Sequence, residues 1–411
     1  MLRSLFGSME VALLGAALFA DEPGRGEARA PLQAAPTAAP MRVTTEDGSP
    51  LDLISLAAYK AEFRFLRGVW HQIDLAGPAV ETDGWTNNIP QAEWPFMGLS
   101  YLGYSAANLA RIDPTFRDEA LTEMRWLIEA LQTLRMSGFL TPHFGPPFGR
   151  GEIRAAVFVH GHFLNLALRY RELTADPRYD PVIHKVAQAL ARDYAKAEQG
   201  ILASYRGMWW ITDNFPALSG LVRYDRQFGC HLSGVKDRFV ANLKAHYLDH
   251  KTGMFCTFVD PTTSGQLQGP RGISEMYGLH FLKDFAPDFA LEQYAAAKRC
   301  LLRQVLGLTG VKEFPAGAPT ELDVASGPLI FGLGPSASGF GIAAAAIMGD
   351  TTTARHMIES SVAVGLPRYS NGQLNYLAMP SVGQTVVLFG KTCTLLARTS
   401  GVAPAPRAQP N

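Results

Sequence analysis

The chain has 411 residues, with 37 Lys and Arg balanced by 37 Asp and Glu, so no bulk field marks it for nucleic acid or an anionic membrane. Its 10% aromatic content, with 39 Gly and 27 Pro, suits a globular protein with structured loops and a large buried core. Four cysteines (Cys230, Cys256, Cys300, Cys393) lie far apart, with no CxxC and no histidine at zinc-ligand spacing, and are expected as buried thiols.

At the N-terminus, Arg3 precedes the apolar run Val11–Ala20, with small residues near Ala17 and Ala20. That resembles a secretory signal over residues 1–20 and is too short to span a bilayer. A signal there implies a periplasmic or secreted protein, and its absence a cytoplasmic one. Residues 21–50, rich in Ala, Pro and charge, are expected as a disordered linker, and 401–411 as a disordered tail. One domain is expected over 51–400.

Helical spacing dominates that domain. Leu56, Tyr59, Phe63, Leu66 and Trp70 recur every three or four residues within a helix over Leu53–His71. Pro90–Ile112 and Pro114–Met136 follow, joined by a tight turn at Asp113–Pro114. Four more pairs come next: Ile153–Leu173 with Asp180–Ala197, Asp213–Phe228 with Leu232–Leu248, Ser274–Phe285 with Asp288–Val305, and Ser336–Met348 with Thr351–Val364. Ser381–Ala397 is the twelfth helix and can close against the first, and Gly253–Gln268 suits a hairpin. Short turns alternate with long loops, which describes an all-α fold of six helical hairpins, an (α/α)6 barrel, with the long loops at one mouth. A superhelical repeat scaffold is the alternative, but no repeated motif supports it.

Polar groups beside the long loops are the candidate site residues. Asp74 ends the first helix, and Asp83 and Trp85 follow; the carboxylates can act as acid or base, or simply cap turns. His160 and His162 interrupt an apolar helix at Gly161 but do not share a face, which argues against a two-histidine metal site. His162 is the one expected to point inward. Trp209-Trp210-Ile211-Thr212-Asp213 is the strongest cluster: Asp213 can cap the next helix, while the tryptophans suggest an apolar pocket or a sugar-stacking platform that would raise the carboxyl pKa. Arg271, Glu275 and Tyr277 open the corresponding helix of another pair and are expected at the same mouth. The glycine-rich stretch 327–339, after Asp323, lacks the lysine and the strand of a phosphate loop.

In order and spacing, Gln72-Ile73-Asp74, Ile112-Asp113-Pro114, Gly161-His162 with Leu164-Asn165-Leu166, Asp213-Asn214 with Tyr224-Asp225-Arg226, and Gly349-Asp350 resemble the linalool dehydratase/isomerase family over roughly Leu53–Leu396. The resemblance implies an (α/α)6 barrel, a ring-shaped homo-oligomer with its site near the subunit boundary, and acid–base chemistry on alkenols without a cofactor. It places Asp74 at the family's catalytic aspartate and His162 at its site histidine. Ser204 and Asp213 stand where the family has two cysteines, and Glu275 falls near a site tyrosine.

Three functions are therefore weighed. The first is a lyase or isomerase acting on an alcohol, with Asp213 as acid, Asp74 or Glu275 as base and His162 orienting. The second is a glycoside hydrolase with paired carboxylates, an assignment that rests partly on fold analogy. The third is a non-catalytic scaffold. The substrate is expected to be a small alcohol or a carbohydrate, with no cofactor, no metal and no nucleic acid.

Overall fold

The computed structural model describes residues 43–78, 85–86, 89–90, 93–320 and 325–399. The expected signal and tail, Asp83, Asp323 and the side chain of Trp85 lie outside the described residues. Within the expected linker, residues 43–50 instead form an ordered loop. Thr44 bridges Pro50, the Leu51 N–H donates to the Val43 carbonyl at 2.8 Å, and Val43 is buried. The Asp47-Gly48 turn closes it, with Gly48 at φ +79° and Asp47 accepting from the Ser49 N–H.

Twelve long helices run through the described residues: α1 (Leu56–Trp70), α2 (Glu93–Ile112), α3 (Arg117–Gln132), α4 (Val157–Thr174), α5 (Asp180–Lys196), α6 (Asn214–Phe228), α7 (Val235–His246), α8 (Gly272–Phe285), α9 (Pro287–Cys300), α10 (Pro335–Ile347), α11 (Thr351–Gly365) and α12 (Ser381–Thr399). The even-numbered helices form an inner ring in which each packs on the next and α12 closes against α2. The odd-numbered helices lie outside, and α1 seals the seam beside α12. Composition explains the layers. Inner α2 is buried without interruption from Phe96 to Ala110, whereas outer α5 buries only one stripe, including Ile183, Val186, Ala187 and Leu190.

Local signals set the ends. Ser55 caps α1 by accepting from the Ala58 N–H, Asp350 caps α11 through the Thr353 N–H, and Gly229 at φ +64° ends α6. The first two strands, β1 (Trp85–Thr86) and β2 (Ile89–Pro90), pair with each other. Two hairpins depart from the expected pattern. The helix expected over Asp288–Val305 stops at Cys300, and β6 (Leu302–Val305) pairs with β7 (Leu308–Val311) around Gly307. Likewise β8 (Pro367–Ser370) pairs with β9 (Gln373–Tyr376) about Asn371-Gly372, both at positive φ, a turn dipeptide visible in the sequence. The hairpin expected within Gly253–Gln268 is present as β4 (Phe258–Asp260) and β5 (Gly265–Gln268), extended by β3 (Trp209–Trp210). No helix among the described residues is long and apolar enough to cross a membrane.

Gly161 shows why a glycine interrupts inner helix α4. A Cβ there would lie 2.6 Å from the Ala217 backbone nitrogen on α6, so the two helices meet backbone to backbone. Neither backbone can yield locally. Gly161→Ala is expected to destabilise the fold by about 1–3 kcal/mol, read as a lower urea midpoint at unchanged m-value; an unchanged midpoint would refute this close contact.

Candidate active site

A cavity of about 80 Å³ opens at the N-terminal ends of the inner helices, where the long loops gather. Glu93 and Trp94 reach it from the first turn of α2. Trp210, Thr212 and Asp213 reach it from the β3–α6 junction, Arg271, Ser274 and Tyr277 from the start of α8, and Phe340 from α10. Much of this wall is aromatic, so the two carboxyls face little water. Burial, then the neighbouring Asp213 charge, pushes the Glu93 carboxyl up to about 8, against the Tyr205 hydroxyl that donates to Glu93 Oε2 at 2.9 Å. Burial raises Asp213 to about 7, opposed by a hydrogen bond from Ser204. Near neutral pH, two buried carboxyls so arranged hold one proton between them.

Tyr277 forms the floor. Its hydroxyl bonds His162 Nε2 at 2.8 Å, and His162 Nδ1 bonds the Tyr104 hydroxyl at 2.9 Å. Burial lowers the His162 pKa to about 3, so it is a neutral imidazole at neutral pH. Arg271 is the cation of the cavity wall, and its charge is committed. Nε and Nη2 lie 2.9 and 2.8 Å from Glu313 Oε1, and Nη2 donates to Ser326 at 2.7 Å. The fold enforces this pair. The Gly272 N–H donates to the Glu313 carbonyl at 2.7 Å, and a Cβ on Gly272 would lie 2.1 Å from the Lys312 oxygen.

The tertiary structure sorts the candidates named from the sequence. Asp213, Trp210, Arg271 and Tyr277 line the cavity, Ser204 opposes the rise that burial imposes on the Asp213 carboxyl, and His162 lies beneath Tyr277. His160 points elsewhere, bonded to the Ala156 N–H and the Pro147 carbonyl. Three assignments are corrected. Asp74 is exposed on the outer rim and accepts from the Ala76 N–H at 3.1 Å, so it caps a turn because α1 is an outer helix. Glu275 is fully buried away from the cavity, near Phe255, Cys256 and Cys300, and burial holds its carboxyl well above the usual range. Ser274 and Tyr277 share the cavity face of α8 at i, i+3, and Glu275 is one residue off that face. Trp209 is not part of the cavity wall, because successive residues of a strand point to opposite sides.

Glu93 was missed. In a helix that begins at Pro90, a carboxyl at position 93 is unremarkable, since acids are favoured near helix N-termini. A usable signal was present: Glu93-Trp94-Pro95 sets a carboxyl, a tryptophan and a proline at a helix start, as Trp210, Asp213 and Pro216 do. Cys256 and Cys393 are buried as expected, whereas Cys230 and Cys300 are half-buried. Among the described residues, no three His, Cys, Asp or Glu side chains gather as metal ligands.

No protein-family model matches the chain, and no curated protein does. Solved structures match its architecture. The α-1,6-mannanase GH76A of Salegentibacter sp. HEL1_6 has a TM-score of 0.54 at 11% identity, covering 84% of this chain and all 100% of that one. Dfg5 from Chaetomium thermophilum, solved in complex with glucosamine, has 0.54 at 10% identity, with 85% and 92% covered. A family 105 glycoside hydrolase from C. acetobutylicum ATCC 824 has 0.51 at 10% identity, with 81% and 99% covered. The chain is an all-α protein of the (α/α)6-barrel type. At these identities the likeness speaks for the fold alone.

Proposed function

We propose that this protein is an acid–base enzyme that cleaves a C–O bond of a carbohydrate, as a hydrolase or lyase. One observation carries the reading: Glu93 and Asp213, two buried carboxyls held near neutrality, face one aromatic cavity. Glu93 feels the Asp213 charge on top of burial, so it retains the shared proton and gives it to the departing oxygen. Asp213, ionised first, takes a proton from the attacking water or from the carbon beside the breaking bond. This reverses the role expected of Asp213 from the sequence. Trp94, Trp210 and Phe340 offer flat apolar faces to a sugar ring, and the Tyr277 hydroxyl can position one of its oxygens. The carbohydrate substrates in the names of the similar structures support this substrate class by analogy of fold.

A second reading is dehydration or isomerisation of a small alkenol, as the linalool dehydratase/isomerase resemblance implies. The cavity's small size and mainly apolar wall favour it. Initial rates on a glycan panel and an alkenol panel decide between the two. Turnover of glycans, lost in Asp213→Asn, is the expected result; turnover confined to alkenols would replace the first reading by the second. The kcat/KM profile should be bell-shaped, with limbs near about 7 and about 8, because activity needs one proton on the pair. Limbs near 4, where unperturbed carboxyls titrate, would remove the pair from the mechanism.

A further inference from the structure

Below the cavity, side chains from three inner helices form one hydrogen-bonded column. Tyr277 of α8 lines the cavity, and its hydroxyl lies 2.8 Å from His162 Nε2 on α4. On the far side of the imidazole, Nδ1 lies 2.9 Å from the Tyr104 hydroxyl of α2. That hydroxyl also donates to the His162 carbonyl oxygen at 3.1 Å. Each member of the column stands next to a glycine at a close helix contact. Gly161 packs on the α6 backbone, a Cβ on Gly103 would lie 2.5 Å from Leu166, and one on Gly278 would lie 2.6 Å from Phe215. The packing of the inner helices therefore sets the column, and no loop has to hold it.

Counting protons gives the column a direction. A carbonyl oxygen only accepts, so the single Tyr104 proton goes to the His162 carbonyl. The Tyr104 oxygen then accepts from Nδ1, which carries the imidazole proton. Nε2 is left bare and accepts the Tyr277 proton. In the opposite tautomer Tyr104 would donate to Nδ1 and face the carbonyl with no proton between them. One hydrogen bond would be lost where both residues are 0% exposed. A doubly protonated ring fares no better. Among the described residues no carboxylate bonds His162, the Phe158 and Phe281 rings meet it edge-on at 4.8 and 5.7 Å, and burial keeps it neutral.

We propose that His162 is a positioning residue: held in its Nδ1–H form by Tyr104, it makes Tyr277 a hydrogen-bond acceptor toward the cavity, so the site selects a substrate hydroxyl that donates to it. This deepens the carbohydrate reading of the same cavity and rests on it. A sugar ring carries such hydroxyls, whereas an ether or carbonyl oxygen at that place would meet the lone pairs of Tyr277. The selection follows from the rule that a site built to bond a hydroxyl rejects an analogue lacking it.

Nitrogen-15 NMR of the histidine rings reads the tautomer with no substrate present. Wild-type His162 should show Nδ1 protonated and Nε2 bare at neutral pH. Tyr104→Phe removes the acceptor for Nδ1–H, so the ring should turn to its Nε2–H form and donate to Tyr277. Tyr101→Phe, which takes a buried hydroxyl from His280 in the same core, should leave the His162 tautomer as it is. A wild-type ring protonated at Nε2, or a tautomer unmoved in folded Tyr104→Phe, would overturn the proposal. Selection is read as kcat/KM on the oligosaccharide that the wild type turns over and on its monodeoxy and monodeoxyfluoro forms. Fluorine cannot donate, so at one ring position both replacements should cost about three- to tenfold, and Tyr277→Phe should abolish that loss. In Tyr104→Phe, where the Tyr277 proton turns to the cavity, the fluoro form should recover relative to the deoxy form. The absence of any such position, or a loss that persists in Tyr277→Phe, would equally overturn it. If the tautomers are as stated but no glycan is turned over, the proposed function falls and with it the selection of a sugar hydroxyl, while the Nδ1–H assignment stands.

Discussion

Asp213→Asn is expected to lower turnover by about 10²–10⁴-fold, the usual contribution of a positioned acid or base, while making the protein more stable at pH 8. The two effects share one cause. Asp213 is 7% exposed, and burial raises its carboxyl to about 7, so the folded state favours the protonated form. Between the unfolded value near 4 and the folded one, the native protein holds a proton that the unfolded chain has released. Stability therefore falls as pH rises through that window, and the full penalty is present above it. Asparagine carries no such penalty. The variant should gain on the order of 2–4 kcal/mol at pH 8 and little at pH 4, measured by urea denaturation at both values. Glu93→Gln should behave alike. A variant that keeps its activity, or is equally destabilised at both pH values, would show that the carboxyl is only a structural cap.

Lys391→Met should produce the largest loss of stability, about 3–5 kcal/mol, as expected when one partner of a buried ion pair is removed. Lys391 on α12 and Glu62 on α1 are both 0% exposed, with Nζ 2.7 Å from Glu62 Oε2 and 3.0 Å from the Tyr376 hydroxyl. The ammonium also lies 4.2 Å from the centre of the Tyr376 ring. This pair sits in the seam where the last inner helix meets the first outer one. Burial already pushes the Glu62 carboxyl up, and Lys391 is the group that opposes it. Without the lysine, Glu62 would take up a proton, so the loss should be smaller at pH 5 than at pH 8. The double variant Lys391→Met/Glu62→Leu should recover most of the stability, because an apolar pair of similar volume needs no desolvation. A double-mutant cycle in urea checks this; a single-variant loss below about 1 kcal/mol would mean that the pair does not secure the seam.

The ring was legible because its signals are local. Apolar spacing in α1, the short turns between paired helices and the predominantly apolar stretches of α2 and α4 depend on nearby residues, and they define hairpins whichever way the chain packs. Local signals compete where a strand lies beside a helix end, as at Leu302–Val305, whereas Asn371-Gly372 marks its hairpin directly.

The sequence by itself thus determined a barrel of helical hairpins, a mouth formed by the long loops, and Asp213 beside a tryptophan as the centre of chemical interest. The tertiary structure alone decided which carboxyls meet. Glu93 stands 120 residues before Asp213, and no local pattern brings them to one cavity; the ring of inner helices does. It also decided direction, turning Tyr277 inward and Glu275 away on one helix, and Trp210 inward while Trp209 stays outside the cavity wall. The physical reason is that periodicity states which residues share a face, whereas the neighbour that face meets is fixed by packing. A carboxyl's pKa follows from that neighbour, so the chemistry of Glu93 and Asp213 exists only in the folded chain.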